Sequence, residues 1–498
     1  MIKSKKDFNI LDYQHSRDNN YKTTADELFL LINNFSDQSE LSIFYNYFEK
    51  RYKLPKIVVK QTLRQYFANS YEYKSGNFNF KLKIRNIPKS ILYYFSLIYA
   101  LLFNNNKKKL KKFNLIIDLI TSSIEMKRWE KLLNLFGPEN VLCITRNLEL
   151  NNYFPIYNFY NKKLFRNINI SYLFKSIYNE IFLGIWIVLR VSLKTKVNLF
   201  NISIKIIHDY LTFKSIFDQN KAKYIIQEKH YQTEPIKNYL FKKSGGIAST
   251  SIQKNIIQLD PIFFYVDLDI LFTLGEEGFE RLYDYGGRID TIKPVGSLFM
   301  ERLWFDQKKL IDKKFDIAIM GINTSNAINR LDSYKEFVDD YYTLYNWAAK
   351  LSIEYPRYNI VLIHHSSAGE DLIEDEILHG SNIKVLDKNI NSYEIAFSSK
   401  LAITYGSTMG YELNAHELTT FFIDPGNRCS FLPDKGFNYI DNFRIKSFNS
   451  FKNLVQEVID KDKKISLEKK YSNKLCLDSS NVSCSIHNIL ISLKKLND

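Results

Sequence analysis

The chain has 498 residues, enough for two or three domains, and is 45% hydrophobic and 25% charged, a balance that excludes a disordered or fibrous polypeptide. Its formal charge of +15 calls for an anionic partner or a heavily solvated basic surface. Four cysteines without metal-ligand spacing read as reduced thiols rather than a disulfide framework.

The polar start MIKSKKDFNILDYQ lacks the apolar core of a secretory signal. Residues 1–112 read as a helical N-terminal extension that closes on the basic run NNNKKKLKK from Asn104. Two apolar stretches invite comparison with membrane spans, Ile91 to Phe103 (ILYYFSLIYALLF) and Ile181 to Val191 (IFLGIWIVLRV). Both fall short of the about 20 residues a spanning helix needs, and they read as core or interfacial helices. Basic side chains crowd the first half, among them Lys107, Lys108, Lys109, Lys162, Lys163, Arg166, Arg190, Lys194 and Lys196. No nucleic-acid motif accompanies them, so nucleic acid is not expected as a partner. Peripheral contact with an anionic membrane and a plain solvated surface are the two readings left. The chain is expected in the cytoplasm, with the inner face of the cytoplasmic membrane as its possible surface.

From Phe113 the pattern changes to alternation. A strand at Asn114 to Ile120, a helix from Ser122 to Phe136 and a strand at Asn140 to Thr145 precede a basic and aromatic insertion near residues 151–210. Alternation resumes with KYIIQ at Lys223 to Gln227, a helix to Lys243, a strand to Gln253, the strand Val266 to Leu274 and an acidic helix start at Gly275-Glu276-Glu277. A second series follows: FDIAIMG from Phe315, a helix to Glu354, NIVLIHH from Asn359, and strands ending near Leu386, Thr404 and Ile423 with helices between. Strands alternating with helices imply parallel sheets. The expected fold is therefore α/β, two Rossmann-like doubly wound domains facing a cleft. The domains fall at residues 113–300 and 301–460, with a helical tail over 461–498.

Ligands of such sheets bind beyond the carboxyl ends of the strands. The segment LAITYGSTMGYE, Leu401 to Glu412, is a strand, a turn and a helix start. Ser407 and Thr408 read either as helix caps or as ligands of a phosphate at the positive helix end. Glu412, one turn on, is placed to accept hydrogen bonds from a ribose. His364 and His365 end a strand, where a histidine donates to a phosphate oxygen or a leaving group. Ser392 reads as a helix cap or a base contact, and Arg428, in the turn Asp424-Pro425-Gly426, as a diphosphate contact or an exposed loop residue. In the first domain Glu228 follows KYIIQ and is the candidate base for deprotonating an acceptor hydroxyl, against the alternative of a solvated carboxylate. His230 stands two residues beyond it. Asp267-Leu-Asp269 lies inside an apolar strand pattern and is not read as a metal motif, so no metal site is expected.

The ordered motifs IHHSS, NSYEIAFSSK and ITYGSTMGYE resemble the donor domain of GT-B glycosyltransferases, especially those of bacterial surface-carbohydrate and capsule synthesis. PVGSLFMERL from Pro294 is similar to the segment joining the two domains in that group. The resemblance spans about Lys223 to Ser450, and its specific part is Gly406 to Glu412. It implies a GT-B fold and a metal-independent transfer from a nucleotide-sugar donor to a surface polysaccharide or lipid-linked acceptor. The nucleotide sugar is a substrate, and no cofactor is implied. By the same resemblance Ser407 and Thr408 take the donor phosphates, Glu412 the ribose, and His364 or His365 the diphosphate or its leaving oxygen. Ile363 stands where the group carries a basic residue, Ser366 where it carries proline, and Gln253-Lys254 where it often shows Gln-His. The alternatives left open are a polyol-phosphate transferase of cell-surface polymer synthesis, a non-catalytic carbohydrate-binding or assembly protein of the same fold, and a sugar-nucleotide epimerase, whose cluster of acidic catalytic residues is not evident.

Overall fold

The computed structural model describes residues 21–72, 77–78, 110–118, 123–145, 156–158, 183–256, 261–301, 312–321, 335–364, 370–387, 390–427 and 438–495. The stretch Ile91 to Phe103, His365 and Arg428 lie outside the described residues.

Helices Tyr21–Ser36, Ser42–Tyr52 and Lys56–Asn69 open the described chain, followed by an antiparallel pair of short strands, β1 (Tyr71–Glu72) and β2 (Asn77–Phe78). The helices bury Leu28, Phe44, Phe48, Val59, Leu63 and Phe67 in the same core as Ile116 and Ile225 of the following sheet and Ile202 and Phe241 of the helices that cover it. Gln65 Nε2 donates to the Thr233 carbonyl at 3.0 Å and Gln61 Nε2 to that of Gly286 at 2.9 Å, tying the helices to that sheet. The N-terminal segment is thus one face of the first domain's core.

The first sheet has seven strands: β3 (Lys111–Asp118), β4 (Val141–Thr145), β5 (Ile156–Asn158), β6 (Asn220–Gln227), β7 (Ala248–Ile252), β8 (Asp267–Thr273) and β9 (Arg288–Pro294). Their order is β5-β4-β3-β6-β7-β8-β9 and every neighbour is parallel. The second sheet has six strands: β10 (Phe315–Met320), β11 (Ile360–Ile363), β12 (Lys384–Leu386), β13 (Ser399–Thr404), β14 (Thr420–Ile423) and β15 (Arg444–Ile445). Their order is β12-β11-β10-β13-β14-β15, again parallel throughout. Central strands such as β11 are buried at every position, as expected of a sheet covered on both faces by helices. Each sheet starts at its middle, runs outward, then reverses. The reversal falls between β3 and β6 in the first sheet and between β10 and β13 in the second. Those are the points where a doubly wound sheet leaves a crevice for ligands.

Three expectations change. No helix starts at Gly275: the Glu276 and Glu277 N–H groups donate instead to the carbonyls of Asn473 and Lys474, and the helix begins at Glu280. A Cβ on Gly275 would lie 2.2 Å from the Lys474 carbonyl oxygen, so only glycine admits this crossing. The insertion near 151–210 contains the edge strand β5 and helix Ile185–Thr195, and helix Phe200–Gln219 runs across its far boundary. β15, two residues long, was not expected at all. In the tail, helix Val482–Lys495 buries Val482, Ile486 and Leu490 against Leu115, Trp129 and Leu133 of the first domain. Glu301, 3% exposed, fastens it by accepting from the Ser483 N–H at 3.0 Å and from Lys131 Nζ at 2.9 Å.

Candidate functional site

The turn after β13 is built as the sequence suggests. Ser407 caps helix Thr408–Ala415, its Oγ accepting the Met409 N–H at 3.2 Å. Capping is therefore real for Ser407 and occupies one lone pair of a hydroxyl. A Cβ on Gly410 would stand 2.6 Å from the Phe422 ring, so glycine lets this helix sit close on β14. Thr408 Oγ1 accepts the Ile256 backbone N–H at 3.0 Å, a bond from the first domain to the second.

Glu412 is 2% exposed. One carboxylate oxygen accepts from Ser297 Oγ in the segment joining the domains, and the other accepts from Tyr393 Oη at 2.5 Å. Burial pushes its carboxyl up to about 6, against the opposing pull of both hydroxyls and of Arg128. The Arg128 guanidinium lies 3.5 Å from the centre of the Phe299 ring, in the same junction. Tyr393 was not expected at the site. It stands beside Ser392, and the Ser-Tyr-Glu motif carried the only signal for it. Ser392 is the first residue of helix Ser392–Phe397, while Asn391 supplies the cap by accepting the Tyr393 N–H at 3.1 Å. Two adjacent residues of capping type explain the one-residue difference.

His364 directly follows β11, and its Nε2 bonds to the buried Glu374 carboxylate, which raises the imidazole above its ordinary range against the effect of burial. Asp424 directly follows β14, fully buried, with Arg444 Nε 3.8 Å from its carboxylate.

In the first sheet the reversal point holds Asp118 opposite Gln227 in register. Glu228 follows, 5% exposed, its N–H donating to the Asp118 carbonyl at 3.3 Å and its Oε1 3.4 Å from Lys254 Nζ. It is a buried, paired carboxylate rather than a solvated one. His230 is fully buried, stacked on Phe263 with ring centres 5.4 Å apart, and burial drives it down to about 3. The ring is therefore neutral. Its Nδ1 accepts the Lys254 N–H at 3.3 Å, which places the proton on Nε2, an atom without a hydrogen-bond partner. The loop after β7 thus does three things within three residues: Lys254 meets Glu228 and His230, and Ile256 meets Thr408. It brings the ends of the two sheets together.

Asp267 and Asp269 share one face of β8 at the sheet's opposite end, bonded to Arg288 and to Lys242 and Ser249. Burial and the neighbouring carboxylates raise Asp267 to about 6, a structural consequence of crowding away from the cleft. Among the described residues no three His, Cys, Asp or Glu side chains gather as a metal-ligand group.

Two Rossmann-like domains meeting at their strand ends form a GT-B-like architecture. No protein-family model matches the chain, and no curated protein matches it. Solved structures do. A variant of the wall teichoic acid polymerase TagF is 12% identical, with a TM-score of 0.48 over 84% of this chain and 100% of that one. The UDP-GlcNAc 2-epimerase of Neisseria meningitidis bound to UDP-GlcNAc is 8% identical, with a TM-score of 0.40 over 76% of this chain and 100% of its own. MurG of Acinetobacter baumannii is 10% identical, with a TM-score of 0.37 over 76% of this chain and 99% of its own. The fold assignment rests on the strand orders above.

Proposed function

We propose that the chain is a GT-B-type transferase that moves a sugar from a nucleotide-sugar donor to a surface polysaccharide or lipid-linked acceptor. One observation carries this reading. The loop Lys254–Ile256, at both sheets' reversal points, pairs through Lys254 with a buried carboxylate of one domain and bonds through the Ile256 N–H to the hydroxyl turn of the other. Thr408 and the N–H groups of its helix start receive the donor diphosphate, and His364 adds positive charge at the next strand end. Glu412 binds the ribose. In the present conformation both its oxygens are taken, so the ribose hydroxyls replace those of Ser297 or Tyr393 as the donor enters. Glu228 takes the proton from the acceptor hydroxyl. The oxygen forms the new bond to the anomeric carbon, the bond to the diphosphate breaks, and its electron pair leaves on the phosphate oxygen. His365 and Arg428 are further donor contacts in this proposal, and Ser392 lies at the base end.

The test is thermal stabilisation by a panel of nucleotide sugars and nucleotide-activated polyols, followed by donor turnover. Stabilisation by a nucleotide sugar, lost in Glu412→Ala, is expected. Stabilisation only by an activated polyol moves the assignment to polyol-phosphate transfer. Stabilisation without turnover on any acceptor leaves a binding protein, and no shift with any nucleotide overturns the donor site.

A further inference from the structure

We infer that the outward face of helix Ile185–Thr195 is a docking surface for an anionic membrane. Three large apolar side chains stand in water around this helix: Trp186 is 61% exposed, Leu193 60% and Leu183 51%. Spaced at three and seven residues, they fall on one stripe, and Arg190 and Lys194 run along the same stripe. Single exposed leucines are ordinary, but a tryptophan and two leucines in line on one helix are not. The opposite face, Val188 and Val191, is buried in the core shared with helices Ser42–Tyr52 and Phe200–Gln219. The stripe is therefore held outward by a packed scaffold.

Charge selects the occupant. No acidic residue occurs from Leu183 to His208, whereas Arg190, Lys194 and Lys196 are all exposed. A second copy of a chain carrying +15 would bring like charge against like. A bilayer with anionic headgroups supplies both an apolar layer for Trp186 and Leu193 and countercharge for the basic side chains beside them. With 11 residues the helix is about 16 Å long, against about 30 Å of hydrocarbon, so it lies in the interface rather than crossing it. No helix among the described residues is long and apolar enough to cross a membrane. The inference does not depend on the transfer reaction, because none of these residues belongs to the cleft.

The test is co-sedimentation of the full chain with vesicles of phosphatidylcholine alone and of phosphatidylcholine mixed with phosphatidylglycerol. Binding to the mixed vesicles is expected to exceed binding to the neutral ones. Replacing Arg190→Gln and Lys194→Gln together should weaken it roughly thirtyfold, about fivefold per charge. Replacing Trp186→Gln and Leu193→Gln should weaken it at least about tenfold. Leu372→Gln, at an 81% exposed position in the second domain, should leave it unchanged. Nucleotide-induced stabilisation should be the same in every variant, which separates failure here from failure of the donor site. Equal binding by the paired variants and the parent overturns the proposal, as does a parent that ignores anionic vesicles. A change of oligomeric mass in the apolar pair, without a change in lipid binding, assigns the face to a second copy instead.

Discussion

The two walls of the cleft are held in different ways. On the first domain's wall, Lys254 bonds to both Glu228 and His230 within the one domain. On the second wall, Thr408 and Glu412 bond across to Ile256 and Ser297. In the proposed reaction the first wall is the preorganised acceptor side, and the second, the donor side, doubles as the fastening between domains. On that proposal a donor entering the cleft competes with the fastening, so its affinity and the closure of the domains are linked quantities.

The largest test of this contrast is Glu228→Gln. If the preorganised wall supplies the base, turnover falls by about a hundredfold or more while nucleotide-induced stabilisation is unchanged. Turnover within a few-fold of the parent removes Glu228 from the mechanism. Gly410→Ala presses a methyl group against Phe422 and should cost roughly 1–3 kcal/mol in denaturant unfolding, weakening donor binding along with stability. An unchanged midpoint would mean the helix can shift without loss.

Glu412→Gln gives a pH signature. The carboxyl is raised from 4.5 to about 6 in the folded protein, so the native state binds more protons than the unfolded state across that window. The parent's stability relative to the variant should therefore grow as pH falls from about 6 to about 4.5, by roughly 2 kcal/mol, and be lost as pH rises through 6. Donor binding by the parent should weaken below about pH 6, where the carboxylate gains its proton. A pH-independent difference between the two proteins would place the charge elsewhere. The smallest effect belongs to Ser297→Ala. Removing the hydroxyl that competes with the ribose should tighten donor binding by up to about fivefold, the worth of one hydrogen bond. Weaker binding would show Ser297 to be a donor ligand rather than a fastening.

Much of the fold was legible because long strands such as FDIAIM and NKAKYIIQ alternate with helices at regular distances. β5 and β15 were missed because two or three residues carry no periodicity. The failed helix at Gly275 has a different cause. Its acidic residues suit a helix start, but their N–H groups are claimed by carbonyls of helix Lys469–Leu475, 197 positions away and beyond any local signal. The site divides the same way. The placement of Ser407, Thr408, Glu412 and Glu228 at strand ends and turns was legible from the pattern, whereas the partner of Glu412, Ser297, meets it across 115 positions. Lys254 was noted as a departure from a resembled motif and is the residue that holds Glu228.

Helix Val482–Lys495 sits in the first domain's core although it follows the entire second sheet in the chain. During synthesis the first sheet emerges with Leu115, Trp129 and Leu133 still uncovered, and it remains so while the second domain is made. The order of completion is then inverted: the second domain can close first, and the first is finished last. A nascent chain halted just after β15 should expose that apolar surface to chaperones and proteases.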